Sequence, residues 1–247
     1  MKQIFLFDVD GVLCDRGQKI DPSFQLWFKQ FIEGKDFFFV TGSGREKTIE
    51  QLGNEIVDKC RISYHCMGNN IWIDGREISV NQFVLKKEEL ELLENLVNNH
   101  YFPKKTGSHI DYRKGSINFS IVGRNASIED RKLYMHFDKV FNDRIRIIDK
   151  ITKKFPRLEA YLGGDVSVDI CLQGGNKSQV MQMLPPYDKI YFFGDRCDKL
   201  GIDYPLTKYF TKMTLDQLQS SDAKRYPYEY FQIDKGYMQT WDILKVI

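Results

Sequence analysis

The chain has 247 residues, 42% apolar and 28% charged, with a formal net charge of +2. That length holds one large domain or two modest ones, the apolar content excludes a disordered chain, and the mild charge argues against duplex nucleic acid as a partner. Five cysteines with no C-x-x-C pair point to reduced thiols and a cytoplasmic setting; the first apolar run is too short for a signal peptide, and none approaches the ~20 residues of a membrane helix.

Ile4 to Phe7 is a continuous apolar run, which predicts a strand buried on both faces. Asp21-Pro22 then supplies an N-cap and a proline at the first helical position, and Phe24, Trp27, Phe28 and Phe31 form one helical stripe. Phe37 to Val40 predicts a second buried strand. Ser43 and Glu46 read as an S-x-x-E capping box for a helix continued by Ile49, Leu52 and Ile56. This alternation implies right-handed crossovers and a parallel sheet. Near residue 80 the character changes. Leu90, Leu93 and Val97 mark an amphipathic helix, and short alternating runs follow at 109–112, 117–121, 158–162 and 166–170. Gly163-Gly164-Asp165 predicts a hairpin between the last two, and helices are expected over 128–136 and 139–154. After Gly174-Gly175 the first pattern returns, with a helix over 177–184 and a buried strand from Lys189 to Phe193. The expected fold is therefore an α/β core with a parallel sheet, 1–80 and 175–247, interrupted at 81–174 by an α+β module on an antiparallel sheet.

The chemistry concentrates at predicted strand ends, where open α/β sheets bind ligands. In FLFDVDGVL, residues 5–13, an apolar strand delivers Asp8 and Asp10 to its carboxyl end, and Gly11 allows a sharp exit. Alone, this D-x-D-G could be a capped strand end or a calcium loop. Its form resembles the first motif of the haloacid dehalogenase superfamily, which implies a HAD-like, Rossmannoid core. There Asp8 would attack a phosphoryl group and Asp10 would move protons. Thr41 ends the second strand, where the superfamily places a phosphate-binding hydroxyl. Ser43 beside it reads first as an N-cap, on a helix whose free N–H groups suit phosphate. Lys177 matches the third motif, and Asp195 with Asp203 the fourth. The resemblance implies Mg²⁺ held by Asp8, Asp10, Asp195 and Asp203.

A second constellation lies in DYRKGSINFSIVGRNASIEDR, residues 111–131. Ser127 with Asp130 reads as a helix start, which puts Arg131 in the first turn. A cation there opposes the helix dipole unless an anion is bound nearby. Arg113, Arg124 and Arg131 could form a phosphate clamp; the plainer alternative pairs them at the surface with Asp111, Glu129 and Asp130. The chain from Phe5 to about Asp203 resembles eukaryotic-type phosphomannomutases. The resemblance rests on QKIDP (18–22), EQLG (50–53), FPKKTGSHIDYRKG (102–115), the N-x-S at Asn118 and Ser120, GR at 123–124 and GGDVSVD (163–169). It implies that the three arginines hold the remote phosphate and that Ser167 and Asp169 hold sugar hydroxyls. It further implies a hexose 1,6-bisphosphate activator and a homodimer formed through the cap modules.

The chain departs from that family pattern in several places. Gly17 replaces an arginine, with Arg16 one residue early; Val12 replaces a threonine; Ile121 a proline; Ile202 an asparagine; and Tyr209 an acidic residue. Thr41 restores the form of general sugar phosphatases. Three readings follow: a hexose phosphomutase, a sugar-phosphate phosphatase on the same scaffold, or a non-catalytic sugar-phosphate-binding protein.

Overall fold

The computed structural model describes residues 2–218 and 228–247. Seven strands form one sheet in the order β11-β10-β1-β2-β3-β4-β5. Those from β11 to β3 run parallel, and β4 and β5 finish the edge antiparallel. The strands are β1 (Gln3–Phe7), β2 (Asp36–Val40), β3 (Ile62–His65), β4 (Asn70–Ile73), β5 (Arg76–Val80), β10 (Lys189–Gly194) and β11 (Tyr228–Gln232). The apolar run of β1 has a direct cause. Phe5 and Phe7 face a layer built by α1 (Pro22–Phe31), α2 (Arg45–Leu52), α3 (Asn54–Lys59) and α8 (Tyr237–Leu244), whereas Ile4 and Leu6 face the other layer, which includes α7 (Tyr204–Leu218). Successive side chains of a strand point to opposite faces, so a strand covered on both sides must be apolar throughout. Rings lock its register: Phe7 stacks on Phe193, and Phe193 on Phe231, each pair at 4.9 Å.

The inserted segment builds a four-stranded antiparallel sheet, β6-β7-β9-β8, from β6 (Ile110–Arg113), β7 (Ser116–Phe119), β8 (Leu158–Gly163) and β9 (Ser167–Leu172). Helices α4 (Lys87–Asn98), α5 (Ile128–Phe141) and α6 (Asp143–Lys154) cover one face, against Ile117, Phe119, Val168 and Ile170. Asn118, Ser167 and Asp169 alternate with these residues and so occupy the other face, toward the core. The fold class expected from the sequence is borne out.

Four local expectations change. Gly44, not Ser43, is the N-cap of α2, which has no side-chain cap, because the Ser43 hydroxyl donates to Asp10 instead. The helix expected through Ile56 breaks at Gly53, where φ is +84°. The two middle helices of the insert meet at left-handed Asn142, later than the pattern suggested. The helix at 177–184 is a 3₁₀ helix, Lys177–Gln182. Of the C-terminal tyrosines, Tyr228 stacks on Phe210 and Tyr237 on Phe24, whereas Tyr226 lies outside the described residues. No helix among the described residues is long and apolar enough to cross a membrane.

The turn after β3 also braces the loop after β2: Met67 N–H donates to the Thr41 carbonyl, and Cys66 N–H to that of Ser43. His65, with no exposed surface, sits between Ser63 at 3.0 Å and Thr48 at 3.4 Å. Burial, then the Arg45 charge, pushes its imidazole down to about 3. The unfolded chain therefore takes up a proton near the ordinary value of about 6.5 that the folded chain refuses, so stability falls as pH drops through that value. Urea unfolding at pH 7 and pH 5 is expected to lose about 2 kcal/mol more in the wild type than in His65→Gln.

Candidate active site

Asp8 follows β1 directly, and its N–H donates to the Phe193 carbonyl, so the strand ladder carries on to it. Lys177 is fully buried, its ammonium 3.0 Å from Asp8 Oδ2 and 2.6 Å from Asp203 Oδ1. Asn176 caps the short helix that places it, accepting from Ser178 N–H. The other Asp203 oxygen accepts from the N–H groups of Asp195 and Arg196 at 3.1 and 3.0 Å. Oxygens of Asp8, Asp195 and Asp203 lie within 4.8 Å of one another. Gly11, with φ +81°, allows this closeness, since a Cβ there would stand 2.4 Å from Asp195 Oδ2. Burial raises the Asp8 carboxyl to about 7 against the pull of Lys177. Burial would lower the Lys177 ammonium, but Asp203 and Asp8 reverse this and hold it charged. Burial and Asp203 also raise Asp195, opposed by Arg16.

Asp10 is held differently. Its Oδ1 accepts from Gly17 N–H and Gln51 Nε2, both at 2.8 Å, and its Oδ2 from Ser43 and Lys47. Burial acts to raise it, but the Lys47 charge and these donors keep it at about 2. Its carboxylate is thus occupied away from the aspartate cluster, so the expected four-carboxylate metal set is brought together as three. Those three supply only carboxylate oxygens, the hard donors that Mg²⁺ prefers, so the residues fit that ion.

A cleft of about 490 Å³ lies between this cluster and the inserted sheet, lined by Asp8, Asp10, Thr41, Ser43 and Asp195 from the large sheet's side and by Arg113, Arg124 and Arg131 from the insert. Ser167 and Asp169 line its wall and are 8% and 4% exposed, so they are not water-facing hairpin residues. Thr41 accepts from Ser43 N–H. Arg113 donates to the Gly42 carbonyl at 2.9 Å and reaches Asp169 at 3.2 Å. Asp111 pairs with both Arg113 and half-exposed Arg124, so the plainer pairing and the clustering at the cleft coexist. Arg131 reaches the cleft from the first turn of α5, which Ser127 caps.

The sequence reading missed Lys47, Gln51, Asp165 and Arg196, and placed Arg16 outside the motif it serves. Lys47 was detectable at i+4 from Ser43. The others depend on distant chain segments meeting: Arg16 reaches Asp195, and Asp165 at 2.6 Å, while Arg196 donates to the Gly164 carbonyl. Val12 is fully buried beside β1, and Tyr209 packs on the opposite layer. Ile202 lines the cleft next to Gly42.

A family profile described as eukaryotic phosphomannomutase matches residues 28–231. The phosphomannomutase of Dendrobium officinale is 32% identical over 212 residues, spanning 82% of this chain and 84% of that protein. That of Schizosaccharomyces pombe is 32% identical over 219 residues, spanning 83% and 85%. Among solved structures, the C-terminal domain of C. albicans trehalose-6-phosphate phosphatase matches with a TM-score of 0.66 at 15% identity, covering 98% of this chain and 91% of that one. A haloacid dehalogenase-like hydrolase from Bacteroides thetaiotaomicron matches with a TM-score of 0.57 at 12% identity over 100% of both chains. At such identities these structures speak for the fold alone.

One buried arginine holds the turn that carries Asp165. Arg144 donates to the carbonyls of Gly163, Gly164 and Ser167 and pairs with Asp138 at 2.8 Å. Replacing Arg144 with Met leaves three carbonyls and a carboxylate short of donors. The loss expected in urea unfolding is about 3–5 kcal/mol, with faster amide exchange at residues 164–166.

Proposed function

The chain belongs to the eukaryotic phosphomannomutase family, and we propose that it interconverts hexose 6-phosphate and hexose 1-phosphate, with mannose as the sugar. One observation carries the reading: the core carboxylates and three arginines of the insert line the same cleft, which supports two phosphate sites on one bound sugar.

In this reading, residues 81–174 form a cap over the core. Asp8, already phosphorylated, passes its phosphoryl group to a hydroxyl of a bound hexose monophosphate. The P–O bond to Asp8 breaks as the bond to the sugar oxygen forms. Asp10, whose carboxylate lines the cleft and is fixed by Gly17, Ser43, Lys47 and Gln51, takes the proton of that hydroxyl. Lys177 balances the carboxylate that Asp8 recovers. The bisphosphate then turns end over end, and Asp8 receives the other phosphoryl group while Asp10 returns its proton to the leaving oxygen. Thr41 and Ser43 border the transferring group. Arg113, Arg124 and Arg131 hold the remote phosphate, and Ser167 and Asp169 the sugar hydroxyls. Asp8, Asp195 and Asp203 would hold Mg²⁺, which neutralises charge on the transferring phosphoryl group. The sheet of the insert, docked over the cleft, excludes the water that would otherwise hydrolyse phosphorylated Asp8.

All five cysteines are free thiols, which supports a reducing, cytoplasmic compartment. A second copy is the proposed protein partner, meeting through the cap. There α5 leaves Leu133, Val140 and Phe141 exposed, with Ile145 of α6 beside them. Sedimentation velocity is expected to give a dimer for the wild type and a monomer for Phe141→Asp.

The decisive assay supplies Mg²⁺ and mannose 1-phosphate with and without glucose 1,6-bisphosphate. The expected result is mannose 6-phosphate only with the bisphosphate, and none from Asp8→Asn. Free phosphate without isomer would establish a phosphatase instead; neither product, with saturable sugar-phosphate binding, would establish a binding protein. Arg131→Ala is expected to weaken hexose-phosphate binding by roughly tenfold to a hundredfold through loss of a charge-assisted contact.

A further inference from the structure

Arg16 holds two carboxylates with one guanidinium. Its Nε lies 2.8 Å from Asp195 Oδ2, with an Nη on the same oxygen, and its other Nη lies 2.6 Å from Asp165 Oδ1. The first carboxylate belongs to the buried aspartate cluster. The second belongs to the β8–β9 turn, on the opposite wall of the cleft. Asp195 is nearly inaccessible, so the guanidinium is its main neutralising partner, as Lys177 is for Asp8 and Asp203. Arg196 joins the same junction, reaching the Gly164 carbonyl at 2.8 Å and Asp165 at 3.4 Å.

We propose that Arg16 is a positioning residue that couples closure of the cleft to cation loading. The inference rests on reading Asp8, Asp195 and Asp203 as the cation site. Arg16 and a divalent cation compete for Asp195 Oδ2, because an oxygen that already accepts two charge-assisted hydrogen bonds is a poor ligand, and a guanidinium alongside repels a second cation. Asp165 pre-positions Arg16 for this competition, and Arg144 fixes Asp165 in turn through the hairpin carbonyls. With Arg16 on both carboxylates, the cap is strapped to the core. When Arg16 gives up Asp195, its guanidinium loses the contact that fixes it in place for Asp165, so the strap weakens and the cleft opens more readily. By linkage, whatever closes the cap through Asp165 weakens cation binding, and cation binding weakens closure by the same factor.

Isothermal titration of Mg²⁺ into the full chain tests this, comparing wild type with Arg16→Gln and Asp165→Asn. Arg16→Gln is expected to bind Mg²⁺ about tenfold to a hundredfold more tightly, the worth of the contacts removed. Asp165→Asn is expected to shift affinity in the same direction by a smaller factor. Arg16→Lys keeps the charge and loses the fork, and it should fall between wild type and Arg16→Gln; it serves if Arg16→Gln fails to fold. Amide exchange at residues 164–166 should speed up on adding Mg²⁺ to wild type and not to Arg16→Gln. Equal Mg²⁺ affinity in wild type and Arg16→Gln would overturn the competition. Weaker binding in Asp165→Asn would overturn the coupling to the cap. Absence of Mg²⁺ binding in every protein would overturn the cation site itself, and the inference with it.

Discussion

Everything at the carboxyl end of the large sheet depends on one buried ammonium. Lys177 has no exposed surface, and an unpaired charge in that position would cost several kcal/mol. It is tolerable because Asp8 and Asp203 arrive from two other parts of the chain, one at a strand end and one at the entry to a helix. Asp203 is secured by the N–H groups of Asp195 and Arg196, so five residues form one connected unit. The ring stack of Phe7, Phe193 and Phe231 lies just beneath it and fixes the register that brings Asp8 beside Asp195. Apolar packing thus sets the position of the charges, and the charges satisfy one another.

Residues that local pattern alone identifies are those whose neighbours in sequence are also their neighbours in space. Asp8, Asp10, Thr41 and Asp195 were legible because each ends an apolar run or follows it closely. Ser127 as a cap and Phe24 to Phe31 as a stripe were legible for the same reason. Ser43 was misread because a capping pattern cannot reveal that Asp10 would claim its hydroxyl. The hairpin of β4 and β5 left a signal at Asp74-Gly75 that went unused, and its turn shows the expected positive φ values, +48° and +73°. Arg16, Asp165 and Arg196 carried no local signal, because their partners lie far along the chain.

The two ends of the cleft are built on different principles. At the core end, burial and hydrogen bonds hold every charge in place before a ligand arrives. On the insert's side the arginines differ: Arg113 is tied to Gly42 and Asp169, whereas Arg124 is half exposed and shares Asp111. A rigid end and an adaptable end suit a ligand that must be held in two orientations. The departures from the family pattern sort along the same division. Val12 and Tyr209 are packing residues, while Gly17 and Ile202 border the cleft and alter its lining.

The large sheet is made from two stretches of chain that surround the insert, and this has a consequence for how the protein is made. Gln3 of β1 pairs with Lys189 of β10, so this parallel pair cannot form until the whole insert has been synthesised. At about 5–20 residues per second the ribosome delivers β10 roughly 10–40 s after β1. Throughout that interval the apolar runs of β1 and β2, with their many phenylalanines, lack their partner on one side. The insert has the opposite topology, with antiparallel hairpins between near neighbours, so its pairings close quickly. During synthesis the antiparallel sheet of the insert is complete first, while the apolar strands of the large sheet wait longest for their partner.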